Sequence, residues 1–160
     1  VAAQSLRVLQ GDQITESALI EALSPPPEAI LTRSIKPGAA AAPAPQPAAA
    51  LLITFQTNAT ALTPQAKREL AVVGQALNHL KLVESKFVIE GHADPRGSTA
   101  RNLVLSQRRA EAVRNFLVAE QHVRAARLSA VGKGDREPLN PGAPGAPENR
   151  RVTFVNVSYP

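Results

Sequence analysis

The amino-acid sequence predicts an α+β fold, a two-layer α/β sandwich in which helices cover one face of a mixed sheet. Short β-rich apolar runs alternate with two amphipathic helical patterns, which gives the element order β-α-β-α-β-β, with a long loop before the last strand. All five aromatic residues of the 160-residue chain lie after residue 50. A sizeable hydrophobic core is therefore expected in that part of the chain.

The first 50 residues are expected to lie outside this core. Residues 1–36 look weakly structured, with one short helix from about Thr15 to Leu23 that ends before three consecutive prolines. Residues 37–50 are rich in Ala and Pro and have no large side chain to bury, so they predict an extended, mobile linker. The folded domain is predicted to span residues 51–160. A chain that begins near Leu51 is expected to keep its fold.

The first helix of the predicted domain has a clear start signal. Residues 51–55 form a short apolar run, which predicts the first strand. Thr63 and Pro64 are a helix cap and a first-turn proline, so a helix of about 17 residues is expected to begin there. Apolar side chains at alternating spacings of four and three define its buried stripe: Ala66, Leu70, Val73, Leu77 and Leu80.

The later elements follow from similar patterns. Residues 85–90 predict a second strand, and a second long helix is expected from about Thr99 to Gln121. Residues 127–131 predict a third strand, residues 132–148 a Gly- and Pro-rich loop, and residues 151–157 a fourth strand. The buried stripe of the second helix is Leu103, Ser106, Ala110, Val113 and Leu117.

Composition excludes several kinds of site. The chain has no Cys, so disulfides, thiolate metal sites and a Cys nucleophile are excluded. No apolar run approaches the roughly 18 residues of a membrane span. Residues 1–50 contain three basic and four acidic groups, which gives a net charge of −1. Residues 51–160 contain fifteen basic and nine acidic groups, which gives a net charge of +6. A basic domain suits an anionic partner, although a solvated basic surface is an equally good explanation of the charge alone.

The densest group of polar residues runs from Gly91 to Arg109. Asp94 lies in a loop at the carboxyl end of a predicted strand, beside a helix N-terminus, where ligand contacts often occur. Helical periodicity points Arg108 towards solvent and places Arg109 at the core edge, on the same side as Asn102. These residues suggest either a structural ion pair between Asp94 and Arg109 or a pair that binds a ligand.

Other kinds of chemistry are poorly supported. His92 and Asp94 have a spacing seen in metal sites, but the sequence offers no third ligand. Ser106 with His92 and Asp94 contains the residue types of a hydrolase triad, yet Ser106 lies in the buried stripe of a helix. The basic residues are not interleaved with aromatic ones, so nucleic acid is not expected as a partner. We therefore predict no catalytic residue, no metal site and no cofactor.

Several separated motifs resemble the signature of OmpA-like peptidoglycan-binding domains. They are Ile89-Glu90-Gly91-His92-Ala93-Asp94, Arg96-Gly97-Ser98, Asn102, Leu105-Ser106, Arg109-Ala110 and Asn149-Arg150-Arg151-Val152. The resemblance covers residues 51–157, and the GHAD-x-RG motif is most similar to the peptidoglycan-associated lipoprotein branch of the family. Two positions depart from the pattern: Arg101 stands where Tyr is common, and Asn58 where that branch has Asp.

The resemblance implies binding of the peptidoglycan stem peptide through its diamino acid, usually meso-diaminopimelate. Asp94 matches the family aspartate that pairs with the ammonium group, and Arg109 the arginine that pairs with the carboxylate. A planar guanidinium suits bidentate carboxylate binding, which agrees with this assignment. The resemblance also implies that one of the two arginines of the Asn-Arg-Arg motif borders the pocket and the other supports the fold. The remaining implied site residues are Ala93, Arg96, Asn102 and Arg150.

The sequence thus predicts a non-enzymatic module that anchors a protein to the cell wall of a Gram-negative bacterium. Its expected location is the periplasm, in association with the outer membrane or the cell envelope. Residues 1–36 are expected to dock on an envelope protein partner. The main alternative is a cell-wall-anchoring subunit of a larger assembly, such as a secretion system or a motor stator. An enzyme acting on the cell wall and a basic nucleic-acid binder are the other two alternatives.

Overall fold

The computed structural model describes residues 4–24, 46–53, 55, 60–94, 98–138, 141–143 and 149–158. These residues form five strands and three α-helices. In chain order the elements are β1 (Gln4–Leu9), α1 (Glu16–Leu23), β2 (Gln46–Leu51), α2 (Pro64–Leu77), β3 (Phe87–His92), α3 (Thr99–Glu120), β4 (Leu128–Gly134) and β5 (Arg151–Asn156). The structure confirms the predicted α+β class and the order of the last six elements.

The five strands form one mixed sheet in the order β1-β2-β5-β3-β4. β5 lies antiparallel to both of its neighbours, so that Phe154 stands opposite Ala49 of β2 and Ile89 of β3. The outer pairs, β1 with β2 and β3 with β4, are parallel. The carboxyl ends of β3 and β4 therefore meet the start of β5 at one edge of the sheet, where the predicted site residues follow β3.

The core lies between the sheet and the helices. Side chains of the sheet alternate between its two faces, and those that point to the helices are almost wholly excluded from solvent. The largest fully buried members of this core are Leu51, Phe87, Ile89 and Phe154 of the sheet, Leu19, Leu23, Leu70, Val73, Leu77, Val113 and Leu117 of the helices, and Leu82. The predicted stripes of both long helices are thus largely confirmed. Leu80 is an exception, because α2 ends at Leu77 and Leu80 is 89% exposed.

The N-terminal segment is part of the same sheet and core, which corrects the predicted organisation. The predicted helix is confirmed as α1, whose cap Thr15 accepts a hydrogen bond from the Ala18 N–H at 3.1 Å. Leu19 and Leu23 of this helix are fully buried, and the carbonyl of Leu23 accepts a hydrogen bond from the Asn156 amide at 2.9 Å. The sequence predicts that these residues are peripheral to the domain, but the structure places them in its core.

The predicted linker is wrong over residues 46–50, which form most of β2. Ala48, Ala49 and Ala50 have no exposed surface, because β2 lies between β1 and β5 and its backbone pairs on both sides. The first strand was expected at residues 51–55, but of these only Leu51 belongs to it. Small side chains give no periodic hydrophobic signal in the sequence. Alanine also has a low strand propensity, which the pairing with neighbouring strands overrides here. Residues 37–45 of the predicted linker lie outside the described residues.

Arg127, which the sequence had placed at the start of a strand, is a buried structural group. It lies in a single 3₁₀ turn before β4, where its guanidinium donates hydrogen bonds to the carbonyls of Leu77, Leu82 and Ser85 at 2.7–3.0 Å. The guanidinium carbon of Arg127 also lies over the Phe87 ring, 5.9 Å from the ring centroid. Arg127 thus ties the end of α2 and the following turn to the sheet.

Within the part of the chain described here, no helix is both long enough and apolar enough to cross a lipid bilayer.

Candidate functional site

The candidate site begins where β3 ends. Asp94 lies two residues beyond this strand, and its side chain is only 7% exposed. Its Oδ2 is 3.4 Å from Nη1 of Arg150, whose side chain is 43% exposed. A nearly buried carboxylate therefore faces a guanidinium that reaches solvent.

Close packing of α3 on β3 and β4 fixes the position of the site. A Cβ atom on Gly91 would collide with the backbone oxygen of Ser106, and one on Gly132 would collide with the backbone of Gln107. Only glycine at these two strand positions allows the helix backbone to approach so closely. The result is that the second and third turns of α3 lie against the carboxyl ends of β3 and β4.

Polar side chains of α3 also pair with the outer edge of β4. Oγ of Ser106 accepts a hydrogen bond from the Gly134 N–H at 2.9 Å. The side chain of Gln107 accepts from the Gly132 N–H at 2.6 Å and donates to the Ala130 carbonyl at 3.1 Å. These bonds satisfy edge groups that have no neighbouring strand, and they fix the helix along the strand axis. Ser106 is therefore a structural residue, in agreement with its predicted place in the buried stripe.

Asn102 holds the loop that carries Asp94. Its amide nitrogen lies 3.2 Å from the carbonyl oxygen of Asp94 and 3.2 Å from Oδ2 of Asp135, and the residue is 6% exposed. Ala93 contributes a second bond, from its N–H to the Gly134 carbonyl at 2.8 Å. Asn102 thus contacts the backbone of the site residue, and its side chain connects this loop to the one after β4.

Arg109 lies at the edge of the core, as the helical periodicity predicts, while Arg108 is exposed. The guanidinium carbon of Arg109 stacks 4.8 Å from the centroid of the Phe55 ring. Partial burial lowers the pKa of Arg109, the negative charge of Asp94 opposes this effect, and the positive charge of Arg150 adds to it. Asp94 thus forms an ion pair with Arg150 and interacts electrostatically with Arg109.

The structure separates the two adjacent arginines of the Asn-Arg-Arg motif. Arg150 is exposed and pairs with Asp94. Arg151 is 6% exposed, and its Nη2 donates to the Glu137 carbonyl at 2.9 Å. Among the predicted site residues, Asp94, Asn102, Ala93, Arg109 and Arg150 lie together, whereas Arg96 is outside the described residues.

A buried polar group lies below the site, on the sheet face that points away from the helices. Nε2 of His92 is 3.3 Å from Oε1 of Glu90, and both residues are less than 10% exposed. Burial lowers the pKa of His92, although the hydrogen bond with Glu90 opposes it. Burial would raise the pKa of Glu90, but the hydrogen bond and the charges of His92, Lys133 and Arg151 outweigh it, so this pKa is lowered. His92 thus makes an internal hydrogen bond within the sheet.

Two features of the site are not evident from the sequence. Phe55 stacks on Arg109 although 54 residues separate them, and it is held by an isolated bridge to Leu62. The Arg150–Asp94 ion pair likewise joins distant parts of the chain. In both cases the signal could come only from the spatial arrangement of β3, β5 and α3.

This geometry can be compared with known proteins. Residues 54–151 match the sequence profile of the OmpA family over more than half of the chain. The chain belongs to the OmpA family. The resemblance inferred from the motifs around Asp94 and Arg109 is thereby confirmed.

Relatives with similar sequences come from several bacteria. The chain is 39% identical over 87 residues to a peptidoglycan-associated lipoprotein of Mesorhizobium japonicum, an alignment that covers 54% of this chain and 50% of the relative. It is 48% identical over 66 residues to outer membrane porin F of Pseudomonas aeruginosa, covering 40% of this chain and 19% of that porin. The chain therefore matches about half or less of the length of these relatives.

Solved structures show the same fold. The peptidoglycan-associated lipoprotein of Burkholderia pseudomallei matches with a TM-score of 0.55 and 28% identity, covering 65% of this chain and 86% of that one. The cell wall anchor of the T6SS from Pseudomonas aeruginosa matches with a TM-score of 0.55 and 30% identity, covering 66% and 74%. The α+β sandwich of this OmpA family member is thus an established fold.

Proposed function

We propose that this chain binds peptidoglycan without catalysis, through the diaminopimelate of the stem peptide. The observation that carries the proposal is the arrangement of one nearly buried carboxylate, Asp94, beside two guanidinium groups, Arg109 and Arg150. The free end of meso-diaminopimelate carries an ammonium and a carboxylate on one carbon. A site with both signs of charge close together suits such a zwitterion better than it suits a simple anion or cation.

Each charged group has a distinct role in this proposal. Asp94 accepts hydrogen bonds from the ligand ammonium, and Asn102 positions Asp94 through its backbone carbonyl. Arg109 binds the ligand carboxylate, because its planar guanidinium is already oriented by the Phe55 ring. Orientation before binding reduces the conformational entropy lost when the ligand is bound.

Arg150 stands where the ligand ammonium would bind. Its cationic Nη1 is 3.4 Å from Asp94, and its side chain is 43% exposed, so it can move into solvent at little cost. The ligand ammonium would replace Arg150 at the Asp94 carboxylate. The displaced guanidinium would then be close enough to contribute to binding of the ligand carboxylate.

The relatives support the wider biological context. They include peptidoglycan-associated lipoproteins and outer membrane proteins by name, which supports a periplasmic location in association with the outer membrane of a Gram-negative cell. The 30% identical cell wall anchor of a secretion system also supports the alternative that this chain anchors a larger envelope assembly. Binding of an envelope protein by residues 1–36 remains a proposal. The burial of α1 in the domain core restricts it to the surfaces that this segment leaves exposed.

The experiment that tests the proposal is calorimetry with two muropeptides that differ only in the diamino acid of the stem peptide, meso-diaminopimelate in one and lysine in the other. In the stem peptide the side chain of meso-diaminopimelate ends in an ammonium and a carboxylate on one carbon, whereas the lysine side chain ends in an ammonium alone. The lysine muropeptide should bind at least about 30-fold more weakly, because one charge-assisted contact is lost. Free meso-diaminopimelate should also bind.

Two results would contradict the proposal. Equal binding of the meso-diaminopimelate and lysine muropeptides would mean that the site does not recognise the side-chain zwitterion. A change in the mass of the muropeptides after incubation would show that the chain is an enzyme acting on the cell wall. Recovery of intact muropeptides from the bound fraction is the expected result.

A further inference from the structure

We propose a second anion subsite beside the first, in which Arg101 and Arg108 bind the free α-carboxylate of the D-glutamate that precedes the diamino acid in the stem peptide. This inference rests on the proposed function, because it assigns a further contact to the same cell-wall ligand. It concerns a different face of α3 from the one that carries Arg109.

The structural basis is an open cleft of about 380 Å³ between α3 and the segment that precedes α2. Its walls are formed by Thr60 on one side and by four residues of α3 on the other: Arg101, Val104, Leu105 and Arg108. Residues at these spacings of three and four share one helix face. The cleft therefore has an apolar middle with an arginine at each end, and the Cα atoms of the two arginines are about 10 Å apart along the helix axis.

The cleft lies on the part of α3 that adjoins Arg109. At 100° per residue, Leu105 lies between Arg109 and Arg101 around the circumference of α3. On the opposite wall, Thr60 belongs to the same connection between β2 and α2 as Phe55, on which Arg109 stacks. A ligand bound at Arg109 would thus have its neighbouring residues directed along a surface formed by the same two segments.

The charge of the cleft favours a carboxylate. Both arginines are exposed, and no carboxylate of the described residues forms an ion pair with either of them. Val104 between them is 51% exposed and offers an apolar surface to a ligand. A ligand with a carboxylate next to small apolar groups would complement all four side chains of α3.

The stem peptide has this chemistry. Its D-glutamate is linked to the diamino acid through the γ-carboxyl group, which leaves the α-carboxylate free, and alanine methyl groups lie nearby. An extended peptide advances about 3.3–3.6 Å per residue, so a neighbouring residue can reach the cleft from the Arg109 site. Amidation of this carboxylate would remove its charge with little change of shape.

The test compares three probes by calorimetry with the full chain: free meso-diaminopimelate, a muropeptide with a free D-glutamate α-carboxylate, and the same muropeptide amidated at that position. The wild type should bind the free form about 5- to 10-fold more tightly than the amidated form, as expected for contacts with exposed guanidinium groups. R101Q/R108Q should abolish this preference and leave binding of free meso-diaminopimelate unchanged. The matched control is R68Q/R124Q, which removes two other exposed arginines and should keep the preference.

The possible outcomes separate this inference from the proposed function. If the wild type binds meso-diaminopimelate but does not distinguish the two muropeptides, only the second subsite is overturned. If the wild type binds none of the three probes, both proposals fail. If R101Q/R108Q retains the preference and instead loses binding to phosphatidylglycerol vesicles, the cleft binds a lipid surface and the proposed carboxylate subsite is overturned.

Discussion

The guanidinium of Arg150 lies 3.4 Å from the carboxylate of Asp94, and the two side chains are 43% and 7% exposed. The nearly buried carboxylate is held by the fold, while its cationic partner lies at the surface. Because the Arg150 side chain is half-exposed, another cation can take its place while the buried carboxylate stays paired. This relationship makes the Asp94 region suitable for binding an ammonium group from outside.

The first prediction concerns the two charges that would bind the zwitterion. Asp94→Asn and Arg109→Lys should each lower the affinity for meso-diaminopimelate by about 30- to 1,000-fold, since each removes a charge-assisted contact of about 2–4 kcal/mol. Lysine cannot reproduce a bidentate contact or the stacking on Phe55. Calorimetry measures the affinity, with Arg124→Lys as an exposed control. Retained binding by Arg109→Lys would remove the bidentate contact from the site.

The second prediction concerns the N-terminal segment. A chain that begins at Leu51 should not fold stably, because it lacks β1, α1 and nearly all of β2. Leu23→Ala in the full chain should lower the free energy of unfolding by about 2–5 kcal/mol, since Leu23 is fully buried. Leu80→Ala is the matched control, because Leu80 is 89% exposed, and it should change stability by less than about 0.5 kcal/mol. Chemical denaturation measures both, and equal effects would place Leu23 outside the core.

The third prediction concerns Arg127. Arg127→Ala should lower the free energy of unfolding by about 3–5 kcal/mol, because three carbonyl groups lose a charged hydrogen-bond donor inside the protein. Arg124→Ala, three residues away and exposed, should have an effect below about 0.5 kcal/mol. Thermal and chemical denaturation would show the difference. Similar stabilities of the two variants would mean that water replaces the guanidinium without cost.

The fourth prediction concerns the close contact between β3 and α3. Gly91→Ala should cost more than about 2 kcal/mol and weaken binding of meso-diaminopimelate, because the added methyl group collides with the Ser106 backbone and displaces α3. Gly11→Ala is the control. Alanine at the φ of +53° found at this position costs about 1–2 kcal/mol, but no atom lies within 4 Å of the added methyl group. This variant should lose stability and keep its affinity for the ligand, and a loss of affinity there would show that stability alone limits binding.

The fifth prediction concerns pH and the pair formed by His92 and Glu90. Burial lowers the pKa of His92, so just below its ordinary value of about 6.5 the unfolded chain binds more protons at this residue than the folded chain does. The free energy of unfolding should therefore fall as the pH drops from 7 through 6.5. His92→Gln should reduce that decrease. The lowered pKa of Glu90 adds a further loss below about pH 4.5, where the unfolded chain takes up a proton at this carboxylate before the folded chain does. Denaturation at a series of pH values measures both, and a flat profile between pH 7 and 5 would contradict the assignment to His92.

The sequence predicted the long helices well. The stripes of α2 and α3 and the cap Thr63 are local signals, since they depend on residues within a few turns. The different environments of Arg108 and Arg109 follow from helix geometry alone. Motifs with fixed spacing around Asp94 identify the family from the sequence.

The N-terminal half of the chain could not be predicted in the same way. Ala48, Ala49 and Ala50 have a composition typical of linkers, yet they form a buried strand because β1 and β5 satisfy their backbone groups on both sides. The sequence by itself determined the helices, the family and the place of Asp94 and Arg109 along the chain, because periodicity and spacing are local properties. Only the tertiary structure decided that α1 completes the core, that Arg127 ties α2 to the sheet, and that Arg150 pairs with Asp94. These contacts join residues far apart in the chain, and their stability depends on burial and pairing that exist only after the sheet has formed.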